Sequence, residues 1–99
     1  MAKTRTTPYD SAAYLETAED VALYLEEAFA GGDPALIAHA LGAAARANGM
    51  SEIAKKAKLS RESLYRALSK DGNPELSTLI KVLHALGLRL AVEPAKARA

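Results

Sequence analysis

The sequence predicts an all-α fold of five short helices, two of them forming a helix-turn-helix, followed by one short C-terminal strand. Three observations predict it. Among 99 residues there are 22 alanines and 14 leucines against three valines and three isoleucines, so strong helix formers dominate and strand formers are scarce. Apolar residues recur at helical spacing in five segments, each bounded by a capping residue, a proline or a glycine. Only after Gly87 does the period shorten to two.

The elements follow in order. Residues 1–16 have weak periodicity and a proline at position 8, and read as an N-terminal arm anchored by Tyr9, Tyr14 and Leu15. Thr17 caps a helix running to about Ala30, with Asp20 placed as in a capping box; Val21, Ala22, Leu25, Ala28 and Phe29 form its buried stripe, and Gly31-Gly32 ends it. Asp33-Pro34 opens the second helix, a cap followed by proline in the first turn. It buries Leu36, Ile37, Ala40, Leu41 and Ala44 and stops at Asn48-Gly49. The third and fourth helices lie within residues 50–69. Asp71-Gly72-Asn73-Pro74 is a loop, and a fifth helix over about Glu75–Leu86 buries Leu76, Leu79, Ile80, Leu83 and Leu86 before Gly87 terminates it. Residues 17–94 thus form one helical domain. A chain of this length buries about two-thirds of the surface its unfolded form exposes. Residues 95–99 read as a frayed tail.

Leu88, Leu90 and Val92 alternate with Arg89, Ala91 and Glu93, which predicts a strand over residues 88–93. A lone apolar strand has no partner in a helical chain. Pairing across a two-fold axis would cover it, making Leu88, Leu90 and Val92 a dimer interface.

The segment Met50–Ser69 reads MSEIAKKAKLSRESLYRALS. Ile53, Ala54 and Ala57 share one side of its first helix, and the alanines are small enough for a close crossing. Leu59 closes the turn, Ser60 caps the next helix, and Leu64, Ala67 and Leu68 face inward. Arg61, Glu62, Tyr65, Arg66 and Ser69 gather on the opposite stripe, a face able to grip phosphates and read base edges. The pattern is that of a helix-turn-helix whose second helix does the reading. It departs from the usual pattern at Lys58, where glycine commonly sits; a positive φ there strains a lysine.

Charge is divided between the halves. Residues 1–49 carry three basic groups and seven acids, whereas residues 50–99 carry ten basic groups and five acids. The basic half holds the helix-turn-helix, as an electrostatic footprint for DNA requires; the acidic half suits a basic protein partner. No cysteine is present, which excludes disulfides and thiolate metal sites and fits a reducing cytoplasm. No apolar run approaches the roughly 20 residues of a membrane span, and MAKTRTTPYD lacks a signal-peptide core. His39 and His84 stand on different helices without a nearby carboxylate or nucleophile, and neither a metal-ligand spacing nor a phosphate loop occurs, so an enzyme, a metal and a cofactor are not expected.

The order of AEDVALYLEEAF, GDPALIAHALG, MSEIAKKAKLSRESLYRALS and GNPELSTLIKVLHALGLRLAV resembles the lambda-repressor-like (Cro/C1) helix-turn-helix proteins and, more narrowly, the HigA-like addiction-module antidotes, over roughly Tyr9 to Pro94. The resemblance implies a cytoplasmic bacterial antitoxin, nucleoid-associated when bound to DNA. Such a protein neutralises a small basic RelE/HigB-like ribonuclease toxin encoded beside it, and as a dimer represses its own operon on double-stranded operator DNA. A stand-alone repressor without a toxin, and a helical interaction module that no longer binds DNA, are the competing readings.

The DNA-binding candidates follow from the motif. Ser51 is expected to cap the first motif helix and to touch a phosphate. Ser60, Arg61 and Ser63 stand where the second helix enters the major groove; Arg61 and Arg66 suit guanine or phosphate. Tyr65 suits a thymine methyl, a phosphate or the shielding of the helix edge, and Glu62 either accepts from cytosine or holds Arg66 at i+4. Lys70 and Asn73 flank the motif as backbone contacts, while Lys55, Lys56 and Lys58 read as solvated. For the toxin, the candidates are Tyr9, Tyr14, Glu16, Glu19, Asp20, Glu26 and Glu27, whose carboxylates would pair with the basic surface a ribonuclease uses on RNA.

Overall fold

The computed structural model describes residues 17–69, 71 and 73–95; Tyr9, Tyr14, Glu16 and Lys70 therefore lie outside the described residues. Among the described residues there are five helices: α1 (Ala18–Gly31), α2 (Pro34–Ala47), α3 (Met50–Ala57), α4 (Arg61–Ala67) and α5 (Leu76–Ala85).

Local chemistry sets most of their ends. The Thr17 hydroxyl accepts from Asp20 N–H at 3.0 Å, and the Asp33 carboxylate accepts from Ala35 N–H at 3.0 Å with Pro34 opening α2. Ser60 Oγ accepts from Ser63 N–H at 2.9 Å, which starts α4. Gly32, at φ 73°, and Gly87, at φ 83°, close α1 and α5 in the left-handed region.

The α3–α4 turn uses the same left-handed device without glycine. Lys58 sits at φ 61°, ψ 43°, the one non-glycine residue with positive φ among the described residues. Its N–H donates to the Lys55 carbonyl at 3.1 Å, and Leu59 N–H reaches back to the Ala54 carbonyl at 2.9 Å. These two bonds make a Schellman ending. The half-buried Leu59 then packs against the core, so tertiary contact holds a lysine where glycine would be relaxed.

The core joins all five helices. Val21 and Leu25 of α1, Leu41 and Ala44 of α2, Ile53 and Ala54 of α3, Leu64 of α4, and Val82 and Leu83 of α5 are buried in one cluster with Leu68 and Leu86. No polar or charged residue is buried among the described residues. Small residues permit the close approaches. A Cβ added to Gly42 of α2 would stand 3.1 Å from the Leu68 carbonyl oxygen and 3.2 Å from Arg46 Nη1. The missing side chain is therefore what lets the end of α4 lie against α2.

Three expectations need correction. Leu36 and Leu76 are 55% and 65% exposed. Both occupy the first turn of their helix, ahead of its packed stretch, and α5 turns its inner face toward Val82 instead. Ser51 does not cap α3: the helix begins at Met50, Gly49 at φ 91° is its N-cap, and Ser51 is the second helical residue. Finally, no strand forms among the described residues, and residues 88–95 have no regular secondary structure. Leu88 N–H still closes the α5 ending on the Leu83 carbonyl at 2.8 Å, but the described residues hold no second strand to complete a ladder.

Candidate nucleic-acid interface

Because Leu64 and Leu68 are drawn into the core, the helical period turns Arg61, Glu62, Tyr65 and Arg66 outward on one face of α4, all four exposed. Ser63 is half-buried, and Ser60 is committed to the cap. Ser69 lies just past the helix, its hydroxyl donating to the Arg66 carbonyl at 3.0 Å. Asn73 is exposed in the following loop.

The face is already partly organised. Arg61 Nη2 donates to Tyr65 Oη at 3.2 Å, and its guanidinium carbon stands 5.5 Å from the ring centroid. Such a cation–π contact at an exposed site contributes about 0.5–1 kcal/mol. It ties the guanidinium to the ring of Tyr65, which remains 44% exposed. The i, i+4 hydrogen bond on this face joins Arg61 and Tyr65; of the two roles open to Glu62, the pairing with Arg66 is not made by a hydrogen bond among the described residues. Arg66 is left with its guanidinium free of such a bond.

α3 adds positive charge. Lys55, Lys56 and Lys58 are exposed, and residues 50–69 together hold five basic groups against Glu52 and Glu62. Its N-terminus has no side-chain cap, and the first helical bond runs from Ile53 N–H to the Gly49 carbonyl at 2.9 Å. The earlier N–H groups, that of the exposed Ser51 among them, have no acceptor within the helix and lie at the positive end of its dipole, an arrangement suited to an anion. Ser51 keeps its place beside that end although it does not cap it.

α1 has the opposite character. Glu19, Asp20, Glu26 and Glu27 are all exposed, and the helix contains no basic residue. Between α1 and residues 88–95 lies an open groove of about 610 Å³, with Leu25, Phe29, Leu83, Leu88 and Leu90 in its wall. His39 and His84 are exposed on α2 and α5. No group of three metal-ligating side chains occurs among the described residues, and no described helix is long and apolar enough to cross a membrane.

Two features of the site were not expected from sequence: the Arg61–Tyr65 pair and the contact of Gly42 with the end of α4. The first was accessible from i, i+4 spacing. The second depends on where α4 ends relative to α2, which no local pattern encodes.

A model of the family described as "Probable addiction module antidote protein" matches residues 5–94. An "Uncharacterized protein" of Haemophilus influenzae is 44% identical over 88 residues, covering 89% of this chain and 91% of that protein. No solved structure matches.

Proposed function

We propose a two-sided role for this chain, which belongs to the family of probable addiction module antidote proteins. An antidote implies a toxin as partner, and the family is one of antidotes and not of enzymes. Within that frame the chain is the antitoxin of a type II module. It neutralises a RelE/HigB-like ribonuclease toxin by direct binding and represses its own operon as a HigA-like, lambda-repressor-like helix-turn-helix dimer. The observation that carries this reading is the segregation of charge. Residues 50–69 hold five basic groups and two acids, whereas α1 holds four acids and no base.

On the DNA side, α3 and α4 are the helix-turn-helix, with α4 in the major groove. Arg66, whose guanidinium has no hydrogen bond among the described residues, makes a base contact to guanine. Arg61 reaches a phosphate or a base from its seat on Tyr65. The N-terminus of α3 beside Ser51 holds a phosphate, and Lys70 and Asn73 fall on the backbone beyond α4. Dimerisation uses residues 88–95. Leu90 and Val92 are 42% and 96% exposed, a poor state for apolar side chains in a lone chain, and pairing Leu88, Leu90 and Val92 with a second copy covers them.

The test is operator binding measured across a salt series. Arg66→Ala is expected to weaken specific binding by about 1–3 kcal/mol, and Lys70→Ala to reduce affinity uniformly with a shallower salt dependence. Affinity independent of salt would remove DNA from the account. A stand-alone repressor would show the same DNA behaviour but would leave the acidic face of α1 without an occupant.

A further inference from the structure

The four carboxylates of α1 are arranged around a single apolar residue. Leu23 is 68% exposed, and Glu19, Asp20, Glu26 and Glu27 stand four and three residues before it and three and four after it. On a helix these are the four nearest neighbours on one face. Each is exposed, while Val21 and Leu25 on the opposite side are buried in the core. A leucine at the centre of a carboxylate ring is left 68% exposed among the described residues. Ala30, seven residues on and also exposed, continues the same line along the helix.

The helix itself does not call for this pattern. A carboxylate is favoured by the helix dipole in the first turn, where Glu19 and Asp20 sit; Glu26 and Glu27 lie in the C-terminal half, and no basic residue is present in the last turn or elsewhere in α1 to pair with them. Four like charges therefore share a face without internal compensation, around an apolar group without a cover. An apolar anchor inside a charged rim is the layout of a binding hot spot, in which the rim steers and excludes water while the centre supplies the affinity.

We infer that the outer face of α1, centred on Leu23, is the seat of the toxin, which presents an apolar socket rimmed by lysine or arginine. The inference rests on the antitoxin reading and goes beyond it by naming Leu23 as the apolar anchor among the α1 carboxylates. The charge complementarity is what selects this occupant: a ring of carboxylates repels a second α1 face and any nucleic acid, and it attracts a protein built to hold RNA.

The experiment titrates the toxin encoded beside this gene into full-length wild type, Leu23→Met, Leu23→Ala, Leu23→Lys and the double variant Glu26→Lys/Glu27→Lys, with operator DNA titrated in parallel. Every substituted side chain is exposed, so the circular dichroism spectrum and melting behaviour serve as the check on folding. Leu23→Ala is expected to weaken toxin binding about thirtyfold or more, the two lysine variants to abolish it, and Leu23→Met to restore most of it. DNA affinity stays within about twofold for the leucine variants. Toxin binding by Leu23→Ala and the double variant within about twofold of wild type overturns the inference and returns the anchor to the arm or the groove. A wild-type protein that binds no toxin overturns the antitoxin reading itself, a result distinguishable from the first because it appears before any substitution is made.

Discussion

Replacing Lys58 with glycine is expected to stabilise this protein. Lys58 holds φ 61° and ψ 43° because the ending of α3 requires it: Lys58 N–H and Leu59 N–H close two bonds to carbonyls of that helix at 3.1 and 2.9 Å. A residue with a Cβ loses roughly 1–2 kcal/mol in this conformation. Glycine removes that strain but loses more chain entropy on folding, by about 0.5–1 kcal/mol. The difference leaves Lys58→Gly ahead by roughly 0.5–1 kcal/mol, which for a domain of this size raises Tm by about 2–8 °C. Urea denaturation followed by circular dichroism measures it, with an unchanged m-value showing that the unfolded state is the same. Lys58→Ala is the control. It deletes the ammonium but keeps the strain, so it gains nothing. The reverse substitution, Gly87→Ala, occupies the matching position after α5 at φ 83° and is expected to lose about 1 kcal/mol; its Cβ would meet Ala18 Cβ at an ordinary 3.7 Å, so backbone strain is the main cost. A Lys58→Gly variant no more stable than wild type, or a Lys58→Ala variant that gains equally, would refute the reasoning.

Other expectations are more local. Ser60→Ala removes the cap bond of α4 and is expected to cost about 1 kcal/mol, whereas Ser51→Ala, which breaks no cap, stays within about 0.3 kcal/mol; chemical denaturation of the pair distinguishes them. Gly42→Ala would ordinarily gain about 1 kcal/mol of helix propensity. Here the new methyl meets a backbone carbonyl at 3.1 Å, so the variant is expected to be no more stable than wild type; a gain above about 0.5 kcal/mol contradicts the close approach of α4 to α2.

Much of the fold was legible because it is written in local chemistry. Thr17, Asp33-Pro34 and Ser60 announce helix starts by side-chain bonds that form within three residues, and Gly32 and Gly87 announce ends by a conformation that other residues resist. The apolar stripes identified Leu25, Leu41, Ile53, Leu64 and Leu83 as core because helical spacing alone brings such residues to one side. What escaped depends on packing between elements. The stripe of α5 included Leu76 and omitted Val82, since the exact rotation of a helix against its neighbours is decided by α3 and not by α5 itself. Ser51 looked like a cap, yet the chain turns at Asn48-Gly49 and Gly49 caps the helix two residues earlier. The strand expected over residues 88–93 has the right alternation but needs a second strand, and the described residues of one chain do not contain it. At the site, the α4 face was readable from period alone. The Arg61–Tyr65 pair was accessible from the same i, i+4 spacing that offered Glu62 with Arg66, but spacing alone does not say which of the two closes a bond.

The central claim is that one chain presents a basic face to DNA and an acidic face to a toxin. Its most direct measurement is co-expression of this protein, alone carrying a tag, with the small reading frame beside its gene, followed by purification and sizing with and without operator DNA. The account predicts a stoichiometric complex with a basic protein that arrests growth when expressed alone, and a complex still able to occupy the operator through α4. Purification of this protein by itself, with no partner retained while it still binds its promoter, would contradict it.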